Sequence, residues 1–139
     1  MIRSVDEREM NMASTLFLRR VLALDSASCA GLGILLAAGA ALAPLFGLSE
    51  ELLRGAGMLL LPFAAFLAWL ASRPAPSSPL VWLVIVGNVA WTAESFVLLA
   101  QQSERVTTLG GLFVSAQGLA VLVLAGLEYA GLRRMRLAA

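Results

Sequence analysis

Hydrophobic and polar residues in this chain are gathered into blocks rather than alternated. Four blocks, at 21–43, 50–72, 80–100 and 107–132, are almost wholly apolar, and short polar breaks separate them. A helix needs about 20 apolar residues to cross a hydrocarbon core roughly 30 Å thick. Each block meets that length, and none shows the period of two that marks a half-buried strand. The pattern predicts an all-α, polytopic membrane protein whose transmembrane domain, 21–132, is a bundle of four transmembrane helices. The polar segment 1–20 is then an N-terminal tail, and 133–139 a short basic C-terminal tail.

The breaks carry their own signals. Pro44 and Gly47 end the first span in a turn. Ser49, followed by Glu50 and Glu51, supplies a capping hydroxyl and two acids at the positive end of the next helix dipole. Pro62, in mid-span, removes a backbone donor and predicts a kink near Met58. The run 73–79 holds three prolines and two serines, and 101–105 is a compact polar turn after which Thr107 or Thr108 can cap the last helix. Residues 1–18 include Arg3, Asp6, Glu7, Arg8 and Glu9 and too little apolar surface to fold alone.

Charge adds an orientation. All ten basic residues are Arg, and eight flank the ends shared by the tail, the middle loop and the C-terminus, whereas Arg54 and Arg105 alone mark the other two loops. The excess of basic residues on cytoplasmic loops predicts that both termini lie inside. Trp69, Trp82 and Tyr129 fall at the same ends, as interfacial aromatics do. Trp91 lies near mid-membrane and does not fit that belt. Arg19 and Arg20 before an apolar run could also imitate a signal peptide, but the run exceeds an h-region of about 7–15 residues, so retention as a helix is expected.

Composition agrees with the bilayer as solvent: 60% of the 139 residues are hydrophobic and 14% are charged, against about 45–50% and 25% in soluble domains. Arg without Lys, together with Ala and Leu richness, points to a GC-rich bacterial genome and the bacterial cytoplasmic (inner) membrane. A net charge of +1 with no basic face suggests no nucleic-acid partner. Cys29 is the sole cysteine and there is no His, so Cys-pair redox chemistry, the usual zinc, copper and haem ligation and His-dependent triads are not expected. No cofactor, metal site or enzymatic activity is predicted.

Ionisable and amide side chains within the spans are the candidate chemistry, because water is absent there. On the last span Gly110, Gln117 and Glu128 fall within about 20° of one another at 100° per residue, and on the third Asn88, Thr92 and Ser95 lie within about 60°. Both stripes should face protein. Asn88 and Gln117 have similar depth and suggest an interhelical amide pair. Arg54 and Glu94 share the outer leaflet and suggest an ion pair. Asp25 lies five residues after Arg20, and Glu128 five before Arg133, so the two acids are matched in depth below the cytoplasmic surface. Facing each other in a dry interior, they would exchange a proton or hold a cation; near the interface they would simply hydrate. Gly33, Ala37 and Ala41 follow the small-xxx-small spacing that lets helices approach.

The segments Leu18–Asp25, Leu52–Gly57, Gly87–Trp91 and Glu128–Arg134 together make the chain resemble the short four-span integral membrane proteins of bacteria, a group whose members imply no particular activity. The acid in span one also resembles that of the small multidrug exporters, but those subunits, like the small fluoride channels, insert in both orientations, which the Arg bias here opposes. The function expected first is an accessory or scaffold subunit packing against itself, as a homo-oligomer, or within a larger membrane complex. The alternative is a small proton- or cation-linked transporter using Asp25 and Glu128.

Overall fold

The computed structural model describes residues 2–139. Every regular element among them is helical: α1 (Ile2–Ala37), a 3-10 turn over Gly39–Ala41, α2 (Leu42–Phe46), α3 (Glu50–Ala71), α4 (Ser78–Gln101) and α5 (Thr108–Ala138). Four of these, α1, α3, α4 and α5, are long and apolar enough to cross a membrane. The all-helical architecture read from the sequence, with four helices long and apolar enough to span a membrane, is therefore the one observed.

Two boundaries differ from expectation. The polar residues before the first span are helical and continue into it, so that α1 has 36 residues. The physical reason is cooperative growth: once the span is formed, each further residue adds one hydrogen bond at little cost, and nothing in the tail is a Gly or Pro to stop it. At the other end α1 stops at Ala37, before Pro44. Pro44 instead lies in the first turn of α2, where its missing N–H has no intrahelical partner to lose. Gly47 ends α2 in the left-handed region, φ 67°, and the N–H groups of Gly47 and Leu48 both donate to Ala43 O. Further on, α3 runs through Pro62 as one helix. Ser49 Oγ accepts from Leu52 N, and Thr107 Oγ1 from Gly110 N, so both caps form, the second on the earlier of the two threonines.

The lateral order is α3, α1, α5, α4. Helix α3 packs along α1, α4 along α5, and the two hairpins meet through α1 and α5. Glycine sets the closest contact. A Cβ on Gly57 of α3 would lie 2.5 Å from Ala37 N and 2.6 Å from Gly33 O, so these backbones touch. The small residues Gly33 and Ala37 thus serve a contact within the chain. Near the Arg-rich end, Gly131 meets Leu18 and Phe17, while Leu18, Leu22, Leu67, Val81, Val84 and Leu132 are at most 1% exposed. Arg19 Nε donates to Ala71 O at 2.9 Å there, and Trp82 meets Tyr129 edge-on at 5.8 Å. At the opposite end Thr107 joins α5 to the α1–α3 connection, its N–H donating to Phe46 O at 3.1 Å and its hydroxyl to Leu45 O at 2.6 Å. Phe46 stacks on Phe113 beside it, ring centroids 4.6 Å apart.

Helices α3 and α4 are sequence neighbours but pack on different partners. A cleft is left between them, floored by α1 and α5.

Candidate functional site

Asp25 of α1, Asn88 of α4 and Glu128 of α5 meet in the interior, at 0%, 2% and 0% exposure. Each is placed by the apolar stripe that it interrupts. Leu22 and Cys29 bury the same face of α1, Val84 and Thr92 that of α4, and Leu124 and Leu132 that of α5. The amide Nδ2 of Asn88 donates to Asp25 Oδ2 at 2.7 Å and to Glu128 Oε2 at 3.1 Å. Cys29 Sγ lies 3.5 Å from Asp25 Oδ1. Glu128 Oε1 is buried with no hydrogen-bond partner, and the Asn88 amide brings the Asp25 and Glu128 carboxyls onto one nitrogen.

The matched depth of Asp25 and Glu128 therefore corresponds to real proximity. Asn88, expected to pair with Gln117, instead bridges the two acids. The physical reason is lateral: α1 and α5 bring two acceptors to the donor, and charge-assisted bonds outweigh an amide pair. Gln117 is satisfied one level away. Its Oε1 accepts from Trp91 Nε1 at 2.8 Å, and its Nε2 donates to Ser95 Oγ and to Val114 O, both at 2.9 Å. That bond accounts for Trp91 at mid-membrane, since a buried indole N–H needs a partner. Thr92 Oγ1 donates toward Asn88 O and Gly118 O, at 3.1 and 3.0 Å, tying α4 to α5 at the same level.

The Arg54–Glu94 pair does not form. Arg54 pairs with Glu50, one turn earlier on its own helix, and this is the ion pair found among the described residues. Glu94 faces the cleft from α4, and the width between α3 and α4 separates it from Arg54. The buried Gly110, half-buried Gln117 and buried Glu128 do line the inner side of α5, as expected of their stripe.

Two cavities occupy the α3–α4 cleft. One, of about 380 Å³, has Asp25 and Asn88 on its wall, with Phe63 and Leu60 of α3 opposite. The second, of about 480 Å³, extends toward the α2 end, with Glu51 and Glu94 on its wall. Both share Leu32, Leu59, Trp91 and Gln117, so the Trp91–Gln117 bond stands where they join. These cavities were not legible in the sequence, which gives depth and helix face but not which helices stay apart. Among the described residues no three His, Cys, Asp or Glu side chains are grouped as metal ligands. Comparison with family models, with curated proteins and with solved structures finds no match for this chain.

Proposed function

We propose that this chain is a small proton- or cation-linked transporter of the bacterial cytoplasmic membrane, with both termini cytoplasmic. Its working group is the Asp25–Asn88–Glu128 cluster. The observation that carries this reading is the pair of carboxyl groups from two helices, wholly buried, joined by a single amide and with Glu128 Oε1 left unpartnered. Two anionic carboxylates in hydrocarbon surroundings are costly, and helix packing alone has no need of them. A proton held between them, or a cation in its place, removes the cost. A group that exchanges one for the other at that position has the chemistry of coupled transport. No enzymatic activity is proposed.

Infrared difference spectroscopy of the protein in lipid tests this. A carboxylic C=O band that shifts in D2O and disappears in Glu128→Gln is the expected result. Both acids ionised at neutral pH with no cation bound between them would overturn it. The accessory or scaffold reading is kept beside it on one observation, the unfilled and largely apolar α3–α4 cleft, which side chains of a second copy or of a larger complex would cover. Recovery of a stoichiometric partner whose binding survives Asp25→Asn would favour that reading.

A further inference from the structure

From the cleft we infer that the ligand of this site is a monovalent organic cation with an apolar body, which reaches Asp25 between α3 and α4; this rests on the acid cluster being the working group. Three features of the cleft define that chemistry. Asp25 and Asn88 are in the wall of the inner cavity, covered to 0% and 2% exposure, whereas Glu128 stands behind them, so a ligand that parts this wall meets one carboxylate with a second acid in reserve. Around that carboxylate the wall is hydrocarbon and aromatic, from Leu59, Leu60, Phe63 and Leu124 with the indole of Trp91. A volume of about 380 Å³ is of the size that holds a small organic molecule.

A divalent metal ion fits the same wall poorly. Calcium takes about six to eight oxygen ligands and magnesium keeps its water, and one carboxylate with a side-chain amide or two does not replace that shell. A neutral apolar molecule would leave Asp25 without purpose. An ammonium head on Asp25 with its body along Phe63 and Trp91 satisfies both halves of the wall, because an aromatic face attracts a cation within about 6 Å. Glu51 and Glu94 line the outer cavity, so the route toward Asp25 carries the sign that gathers cations.

Binding is then an exchange. The titratable groups facing one another are Asp25 and Cys29 from α1 and Glu128 from α5; α4 presents Asn88 and Trp91, and α3 presents Leu59, Leu60 and Phe63. A cation arriving at Asp25 takes the place of the proton that the two carboxyls share, which passes to solution. The net charge of the cluster is unchanged.

The test uses the full chain in lipid nanodiscs with two probes of one shape, benzyltrimethylammonium and its neutral carbon isostere neopentylbenzene. Binding of the cation in weak buffer with a pH indicator should release one proton per cation bound. Asp25→Asn should weaken the cation about tenfold or more while moving the neutral probe less than about twofold. Gly87→Leu supplies a second handle should Asp25→Asn not fold. A Cβ at Gly87 already lies 3.6 Å from Phe63, so leucine fills the cleft and should weaken the cation without removing the exchangeable carboxyl band. Equal binding of the two probes, cation binding without proton release, or indifference to Gly87→Leu would each overturn the inference. An exchangeable carboxyl proton with no cation binding overturns this inference and leaves the proton-exchange reading standing. Absence of that proton overturns both.

Discussion

Replacing Asn88 by Leu removes the one donor that holds two buried acids together, at little change in side-chain size. The amide reaches Asp25 Oδ2 at 2.7 Å and Glu128 Oε2 at 3.1 Å, and none of the three residues is more than 2% exposed, so water does not substitute for it. Hydrogen bonds to charged groups contribute about 1.5–3 kcal/mol each, which would give roughly 3–6 kcal/mol for two. Membrane helices moderate that figure, because separated helices find other partners in lipid, and measured pairs average about 0.6 and reach about 1.7 kcal/mol. Two bonds at that ceiling, with both acceptors left unsatisfied, set the expectation at about 2–4 kcal/mol. Reversible unfolding in mixed micelles, followed by circular dichroism against denaturing detergent, measures it. The decisive comparison repeats Asn88→Leu in an Asp25→Asn, Glu128→Gln background, where the acceptors are neutral amides and the loss should fall below about 1 kcal/mol. A loss below about 0.5 kcal/mol in the natural background, or equal losses in both, would refute the view that Asn88 serves the acids.

Gly57→Ala should destabilise the α1–α3 contact by about 1–3 kcal/mol, because its Cβ meets backbone of Ala37 and Gly33, whereas Gly55→Ala, whose Cβ meets nothing within 4 Å, should stabilise by up to about 1 kcal/mol. Thermal unfolding of the two variants side by side checks the pair, and equal effects would sink it. Gln117→Leu should cost less than about 2 kcal/mol, because it frees the indole of Trp91 without touching the acids. Complete loss of folding from that change would mean that the amide carries the bundle. Arg54→Gln should change stability by less than about 1 kcal/mol, since its partner Glu50 is on the same exposed turn. A reporter fused after Ala139 should report the cytoplasm; a periplasmic signal would refute the orientation or the even number of spans.

Much of the site could be read from the sequence because depth in a membrane is a linear quantity. Counting five residues from Arg20 to Asp25, and five from Glu128 to Arg133, gave both acids one level, and they do meet. Faces were equally readable: Asn88, Thr92 and Ser95 repeat at helical spacing and are all buried. Lateral order could not be read in the same way. Asn88 matches Gln117 in depth as well as it matches the acids, and Arg54 matches Glu94. Which match becomes a contact depends on which helices adjoin. Adjacency was set by close-packing glycines, Gly33 against Gly57 and Gly131 against Leu18, whose partners no single helix pattern identifies. The tail misled for a different reason. Its residues cannot bury surface, but a helix already paid for by the span extends through them.

The position of the acids relative to that packing is what gives the cleft its meaning. Below the cluster, toward the Arg-marked end, Leu18, Leu22, Leu67 and Leu132 close the bundle to at most 1% exposure. On the other side the α3–α4 cleft begins, and Asp25 and Asn88 are on its wall. The cluster thus stands at the boundary between the tightest packing and open volume. A carboxyl pair placed only to join helices would be as well served deep within the closed end, where no ligand reaches it. Placed at the boundary, Asp25 is in the wall of the inner cavity, covered to 0% exposure and next to the volume that Trp91 and Gln117 line. Trp91 turning away from Gln117 would join the two cavities at the loss of one hydrogen bond, about 0.6 kcal/mol on the membrane scale. That is below the roughly 1.4 kcal/mol of a tenfold concentration ratio, so the two cavities are joined at small cost on the side of the acids that faces the cleft, while the Leu-packed end stays closed.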